Sequence, residues 1–466
     1  MAGYYPLSQI LSVARVHPFY SDAEWAPTRE RLAEILANAD NPPSGIHLHA
    51  FPPTEKSKLY KHIARLTADT SPQNGYRQST YISTTGGGSG GAPMVFATDS
   101  LENRQQRAAI GALMRACQII EPGDWALTMH VSGHFYRALD LTTELLEAAG
   151  ASVLCAGAEM AMEAVVDALN QYRVNVVAGD AGQVVQLVRY IDTLPVGQKA
   201  SLQIRKVLYT SEPMTPAQKN FIKSVLGEVT IYSVIGSAEA GPWAVSNPLL
   251  TNHNTASSAA DFIYDTRTML LEVLPLSFQD AEVKSYCDER HMVGVPDGEK
   301  GTLLQTSLQR LRNPLVRYVC GDVASLHPLS VEARTRLPAE DAEHYRIVRI
   351  YGRDKRLSFD WYGEYFEFDT VQALMRQASW GILQWQVILW TKPEGLDKCL
   401  EVRLLRASAS DGNLLSEADL IKEIKHFFMV FDFNEDLFQL KFLTGLDGFV
   451  RSATGRKVAN FIDRTS

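Results

Sequence analysis

The segment Ser83-Thr84-Thr85-Gly86-Gly87-Gly88-Ser89-Gly90-Gly91-Ala92-Pro93 carries the strongest local chemical signal in the chain. Successive residues without a Cβ let backbone N–H groups close around an anion, and Ser and Thr hydroxyls add donors for phosphate oxygens. A flexible Gly/Ser linker shares this composition. A linker separates self-contained units, however, and this loop lies between Tyr81-Ile82-Ser83 and Met94-Val95-Phe96 inside one alternating stretch. Two other phosphate loops fit less well. Gly86, Gly88 and Gly91 satisfy G-x-G-x-x-G, but Pro93 stands where a helix should open, and no acidic residue ends a strand about 20 residues later. A Walker loop needs Gly-Lys-Ser/Thr, and this loop has no lysine.

Four more segments follow in order: Thr210-Ser211-Glu212-Pro213-Met214-Thr215; Tyr232-Ser233-Val234-Ile235-Gly236-Ser237-Ala238-Glu239-Ala240-Gly241-Pro242; Asn313-Pro314-Leu315-Val316-Arg317-Tyr318-Val319-Cys320-Gly321-Asp322; and Tyr351-Gly352-Arg353-Asp354. With the loop ending Gly91-Ala92-Pro93, this set resembles the ordered motifs of the adenylate-forming enzymes (acyl-CoA synthetases, peptide-synthetase adenylation domains and luciferases). The likeness is to the phenylacetate–CoA ligase branch. Those motifs are the Ser/Thr/Gly phosphate loop, the Gly-Glu-Pro-Leu-Thr adenine segment, Tyr-Gly-Leu-Ser-Glu with a following Gly-Pro, Pro-Leu-Ile-Arg-Tyr-x-x-Gly-Asp, and the Gly-Arg-x-Asp hinge. One such match is weak. Five in one order are specific, and the resemblance covers most of the chain from about residue 80 onward.

The resemblance implies an α/β fold. It predicts a large N-terminal domain of several α/β subdomains over 1–351, its first 80 residues mostly helical, and a small mobile α+β lid over 352–466. It implies ATP-dependent activation of a carboxylic acid as acyl-AMP, with pyrophosphate released. The acyl group then passes to a thiol, CoA first of all, with a carrier-protein thiol or an amine as alternative acceptors. Thr84, Thr85, Gly86, Gly87, Gly88, Ser89, Gly90 and Gly91 would hold phosphates. Ser211, Glu212 and Pro213 would lie against adenine, and Ile235, Gly236, Ser237 and Ala238 would line the nucleotide. Glu239 would ligate Mg²⁺, Asp322 would accept from the ribose hydroxyls, and Arg353 would hold the nucleotide and anchor the hinge. The residue types suit these roles, since a hard cation prefers a carboxylate oxygen. Plainer readings are a capping or solvated Glu239, a turn aspartate at 322 and a surface arginine at 353.

The chemistry explains why such residues recur. A carboxylate and a polyanionic triphosphate repel, so the site must spread negative charge over backbone donors and a divalent cation. Three departures from the family pattern bear on this. Ala92 stands where a lysine is usual before the loop proline, and Ala238 replaces the hydroxyl residue before the glutamate. The tail Arg451-Ser452-Ala453-Thr454-Gly455-Arg456-Lys457 puts Arg456 at the position of the family's catalytic lysine, with Lys457 one step late. Arginine keeps the charge but not the geometry. Either Arg456 or Lys457 would bridge carboxylate and α-phosphate, or adenylation is altered. The same departures motivate a competing reading, a nucleotide-binding protein that has kept the fold and lost turnover. For the acyl pocket, His134, Phe135 and Tyr136, beside His130, and Trp243 are the candidates, against ordinary structural roles.

The elements that must position these groups read as alternating layers. The stretch 139–149 ends at Gly150 as a helix with a glycine stop. Short apolar runs at 152–155, 174–178, 207–209 and 229–234 read as strands, with helices over 183–191 and 216–226 between them. Such alternation argues for a parallel-type sheet. Strands are then expected at 269–273, 301–306 and 315–319, and a smaller module with strands at 383–389 and 399–405 and a helix over 417–429.

The bulk numbers close off other classes. The 466 residues carry a net charge of -8, with 45% hydrophobic and 21% charged residues. That is a globular composition with no basic stripe for nucleic acid or an anionic membrane. Five cysteines, an odd number without metal-ligand spacing, read as incidental thiols in a reducing compartment. No apolar run approaches the ~18 residues of a membrane span, and the N-terminus lacks a signal-type core. A cytoplasmic enzyme is expected, with a homodimer as the oligomeric option.

Overall fold

The computed structural model describes residues 3–37, 47–84, 95–133, 135–210, 214, 216–251, 259–279, 294–354, 358–392, 397–406, 414–445, 448–450 and 458–465. Its parallel layer is built from short apolar runs that stop at polar or glycine-bearing turns. Ser152–Cys155, Trp125–Thr128, Val176–Asp180, Lys206–Thr210 and Thr230–Ser237 lie side by side in that order, all parallel. Helices Ala138–Ala149, Met162–Gln171, Ala181–Thr193 and Pro216–Leu226 link them in sequence. The stops are local chemistry. Gly150 ends its helix at φ 110°. Asp180 ends a strand and then closes a capping box with Gln183.

Alternation along these strands sorts side chains onto two faces. Ala126, Val176, Ala178, Leu208, Tyr232 and Val234 join the core with Ile110, Leu113 and Met114 of helix Ser100–Ala116 and Leu145 and Leu146 of the next helix. Leu127, Val177, Val207, Tyr209 and Ile231 face the other way, onto Val165, Leu169, Val184, Leu187 and Ile222. The first two helices nearly touch at Gly111, where an added Cβ would lie 2.5 Å from that of Ala148.

Past Ser237 the sheet changes sense. Gly241–Ser246 pairs antiparallel with Thr230–Ser237, and Ala260–Asp265 and Tyr345–Arg353 continue antiparallel. Tyr318–Pro328, Gly301–Ser307 and Met269–Pro275 complete the 11-stranded sheet. The strand expected from 315 begins only at Tyr318. Arg317 sits at φ 47°, and its carbonyl accepts from Thr54 N–H at 2.8 Å, which takes the backbone out of an extended run. Ahead of the sheet stand helices Leu7–Ala14, Arg29–Ala37 and Lys56–Ala68.

Contacts divide the chain into two units, the smaller taking up the sequence at Arg353. It is α+β: a four-stranded sheet ordered Phe438–Leu443, Lys398–Arg406, Ile382–Thr391, Phe461–Arg464, with helices Phe368–Met375 and Glu417–Phe427. Its core is aromatic, with Trp361, Phe366, Trp380, Phe427 and Phe428 buried together. Among the described residues no helix is long and apolar enough to cross a membrane.

Candidate active site

The switch from parallel to antiparallel strands takes place in one turn, residues 238–240, and Glu239 is at its centre. Ligands of open α/β sheets bind beyond the carboxyl ends of the strands, and this turn lies at such an end. The turn is pinned. Ala240 N–H donates to Ser237 Oγ at 3.0 Å, and Gln106 Nε2 donates to the Ala240 carbonyl at 2.7 Å. Gly241 holds φ 71°, and a Cβ there would lie 2.2 Å from Gln106 Oε1. Gly241→Ala is therefore expected to cost about 1–2 kcal/mol through left-handed strain, and more if Gln106 is expelled. Urea unfolding checks this, and an unchanged midpoint would show that the turn yields freely.

Glu239 is 5% exposed. Its Oε1 accepts from the Tyr60 hydroxyl at 2.7 Å and faces Lys56 Nζ at 3.9 Å. Lys56 and Tyr60 are four apart on helix Lys56–Ala68, so they share one face. Burial pushes the Glu239 carboxyl up. Lys56, the Tyr60 hydroxyl, a backbone N–H and Ser237 together outweigh burial and hold it below the usual carboxylate range. The group is therefore an anion at neutral pH. The Tyr60 phenol moves the other way, driven well up by burial and by the Glu239 charge.

A second layer holds the loop before Tyr318 against this turn. Glu102 accepts from the backbone N–H groups of Leu311 and Arg312, each at 3.2 Å. Burial, then the neighbouring Asp99 charge, pushes the Glu102 carboxyl from 4.5 up to about 7. A raised carboxyl favours the folded state while protonated. That contribution is full below pH 4.5 and is lost as pH rises to about 7. Glu102→Gln cannot ionise, so the wild type should lose stability relative to it across that window. Parallel pH-dependent unfolding of both proteins would refute this if the two curves kept a constant offset.

The sequence-predicted residues distribute as follows. Ile235 and Ala238 are half-buried and Gly236 and Ser237 exposed, an open edge beside buried Glu239. Thr84 ends the strand Thr80–Thr84. Asp322 is half-buried on Tyr318–Pro328, directly after Gly321 at φ 86°. Arg353 belongs to the smaller unit, its guanidinium 4.3 Å from the Tyr365 ring centre. Trp243 is 2% exposed and meets Tyr264 edge-on at 6.5 Å. Phe135 is 77% exposed at φ 65° on a short hairpin, with Tyr136 half-buried beside it. His130 is buried between the Thr128 and Thr210 hydroxyls at 2.9 and 2.8 Å, and burial pulls its imidazole down to about 4. Thr85, Gly86, Gly87, Gly88, Ser89, Gly90, Gly91, His134, Ser211, Glu212, Pro213, Arg456 and Lys457 lie outside the described residues. Sequence reasoning missed Lys56, Tyr60, Gln106 and Arg310. The signal for the first two was present, a Lys and a Tyr four apart at the start of a helix.

Among the described residues no group of three or more His, Cys, Asp or Glu could hold a metal alone. One ionised carboxylate nevertheless suits Mg²⁺, which commonly takes one or two protein carboxylates and completes its shell with phosphate and water.

The fold is that of the adenylate-forming enzymes. A 2-hydroxyisobutyryl-CoA ligase, solved with its acyl-AMP and CoA, superposes with a TM-score of 0.64 at 17% identity, covering 99% of this chain and 89% of that one. An o-succinylbenzoate CoA synthetase variant from Bacillus subtilis gives a TM-score of 0.51 at 14% identity, covering 87% and 77%. In sequence, the chain is 25% identical over 286 residues to an indoleacetate–lysine synthetase of Pseudomonas savastanoi. That match covers 60% of this chain and spans 59% of the relative's length. No family model matches the chain.

Proposed function

We propose that the protein activates a carboxylic acid with ATP, forming acyl-AMP and releasing pyrophosphate, and then transfers the acyl group to the CoA thiol with release of AMP. The observation that carries this is the buried, ionised Glu239 at the turn where the sheet changes sense, inside an adenylate-forming fold. In this reading the carboxylate oxygen attacks the α-phosphorus and the bond to the β-phosphate oxygen breaks. Glu239 would hold Mg²⁺, which when bound would offset the growing charge on the phosphates. Tyr60 and Lys56 keep the Glu239 carboxylate oriented and charged. Thr84, Thr85 and the glycines that follow take phosphate oxygens, Asp322 takes the ribose, and Ser211, Glu212 and Pro213 take the adenine. Arg353 serves the nucleotide, and Arg456 or Lys457 bridges it to the acid. Phe135, Tyr136, His134 and Trp243 are the candidates for the acyl pocket. The Asn313-to-Asp322 segment supports placing the chain near the phenylacetate–CoA ligase branch.

A second acceptor has its own support. The Pseudomonas relative is named for joining indoleacetate to lysine, so an amine is the alternative to CoA, and a carrier-protein thiol is a third. Pyrophosphate release with ATP and a panel of aryl and short acids tests the first step. Product mass spectrometry with CoA, with lysine and with other amines assigns the second. Absence of pyrophosphate with every acid would overturn the proposal.

A further inference from the structure

The loop ahead of Tyr318 is a run of polar side chains that the protein secures almost completely. Gln309 Nε2 donates to the Gly3 carbonyl at 3.0 Å, and Asn313 Nδ2 donates to that of Ala97 at 3.0 Å. Arg312 is shared among Asp99 and the carbonyls of Gly75 and Gln78. Arg310 differs. It is 3% exposed, and its Nε and Nη1 have no hydrogen-bond partner among the described residues. Its Nη2 reaches only the Ala238 carbonyl, at a long 3.4 Å. The guanidinium lies over the Phe96 ring at 5.0 Å, and Phe96 also meets Tyr60.

The groups around Arg310 confirm a charge without a mate. Glu102, Glu239, Tyr76 and Tyr60 are near enough to favour its charged form, but no described carboxylate is within ion-pair distance. Glu102 already serves two backbone N–H groups, and Glu239 serves Tyr60 and Lys56. Burial lowers the guanidinium to about 10, which leaves it charged at neutral pH. Arg107 shows the contrast. It also leaves two nitrogens open, but its Nη1 holds Asp140 at 2.9 Å and Glu144 at 3.0 Å. Two carboxylates neutralise Arg107, and none among the described residues pairs with Arg310. A buried, charged fork with two open donors and no carboxylate partner among the described residues is costly unless something else pairs with it.

We infer that Arg310 binds the β- and γ-phosphate oxygens of the nucleotide and stabilises the pyrophosphate as it leaves. This inference rests on the adenylation reading above. Lys56 and Arg310 put two positive charges beside the one negative charge of Glu239, and Glu102, pushed up to about 7, adds less than a full negative charge at neutral pH, an excess that suits a polyanion. A planar guanidinium pairs with phosphate through two parallel N–H bonds. As the bond from the α-phosphorus to the bridging oxygen breaks, its electron pair stays on pyrophosphate, and Arg310 meets that charge.

The test compares ATP with AMP on the full chain by calorimetry, together with steady-state pyrophosphate release. Arg310→Gln should weaken ATP and free pyrophosphate binding about 10–100-fold, the range for hydrogen bonds to charged groups. AMP binding should stay within about twofold, and Arg310→Lys should fall between, because it keeps the charge without the fork. If Arg310→Gln does not fold by thermal melt, Arg310→Lys carries the same ATP-to-AMP comparison. Equal loss of ATP and AMP would make Arg310 a structural residue. A change confined to the KM of the acid would make it a carboxylate ligand. No change would leave it without a role in binding. Each of these three overturns the inference. A wild-type protein that binds no ATP and releases no pyrophosphate would instead overturn the adenylation reading itself.

Discussion

Glu239→Gln should slow pyrophosphate release about 10²–10³-fold, the loss typical of removing one preorganised electrostatic contact to the transition state, while the protein stays folded. The substitution keeps the shape and the acceptor that Tyr60 uses at 2.7 Å. It removes the charge, and the charge is what the surroundings are built to maintain. Lys56, Tyr60, a backbone N–H and Ser237 act together against burial to hold the carboxyl ionised. A purely structural glutamate gains little from such an arrangement, since a buried carboxyl can be kept neutral instead. The Lys56 side chain keeps 21% exposure, so it can turn to water once its partner is neutral. Initial rates at saturating ATP and acid, set beside a thermal melt, separate chemistry from folding. A rate within threefold of wild type would remove Glu239 from the mechanism, whereas ATP binding with no pyrophosphate release from the wild type would favour a nucleotide-binding protein without turnover.

Much of the layer order was legible because it depends on local chemistry. The helix read over 216–226 is Pro216–Leu226, with the proline in its first turn and Gly227 at φ 76° just past its end. The period-two alternation at 206–210 sorts Val207 and Tyr209 from Leu208 onto opposite faces. Glu239 was singled out by the resemblance of the Tyr232-to-Pro242 segment to the family's Tyr-Gly-Leu-Ser-Glu and Gly-Pro motif, and its role as a metal ligand stays a proposal. Its partners were not legible. Tyr60 lies 179 residues upstream, on a helix whose buried Leu59, Tyr60, Ile63 and Leu66 read simply as an apolar face. Arg310 and Arg312 make the same point more sharply. They are the same residue type, two positions apart, and both are buried. Only the tertiary partners distinguish a fully bonded structural arginine from one with open donors.

Arg312→Ala is expected to destabilise the larger unit by about 3–5 kcal/mol, the usual consequence of removing one partner of a buried ion pair. Arg312 is 3% exposed, and its guanidinium ties three separate segments together. It pairs with Asp99 and donates to the carbonyls of Gly75 and Gln78. Asp99 cannot absorb the loss. Its Oδ1 already caps helix Ser100–Ala116 by accepting from Leu101 and Glu102 N–H, and its other neighbour, Arg29, stands 3.7 Å away with a largely exposed side chain. The variant therefore leaves a buried carboxylate and two backbone carbonyls short of donors, in addition to a cavity. Urea unfolding with an unchanged m-value reads the loss as a shift in midpoint. Arg312→Lys should recover part of the charge but not the fork that reaches both carbonyls. The same substitution bears on function, because the Arg312 side chain ties the loop that carries Arg310 to Asp99 and to the carbonyls of Gly75 and Gln78. A loosened loop should weaken ATP before AMP, as Arg310→Gln does, but with a large fall in stability that a direct phosphate ligand need not show. A loss under about 1 kcal/mol, the scale of a surface pair, would mean that Asp99 finds water, and that Glu102, Gln309 and Asn313 hold the loop without the Arg312 side chain.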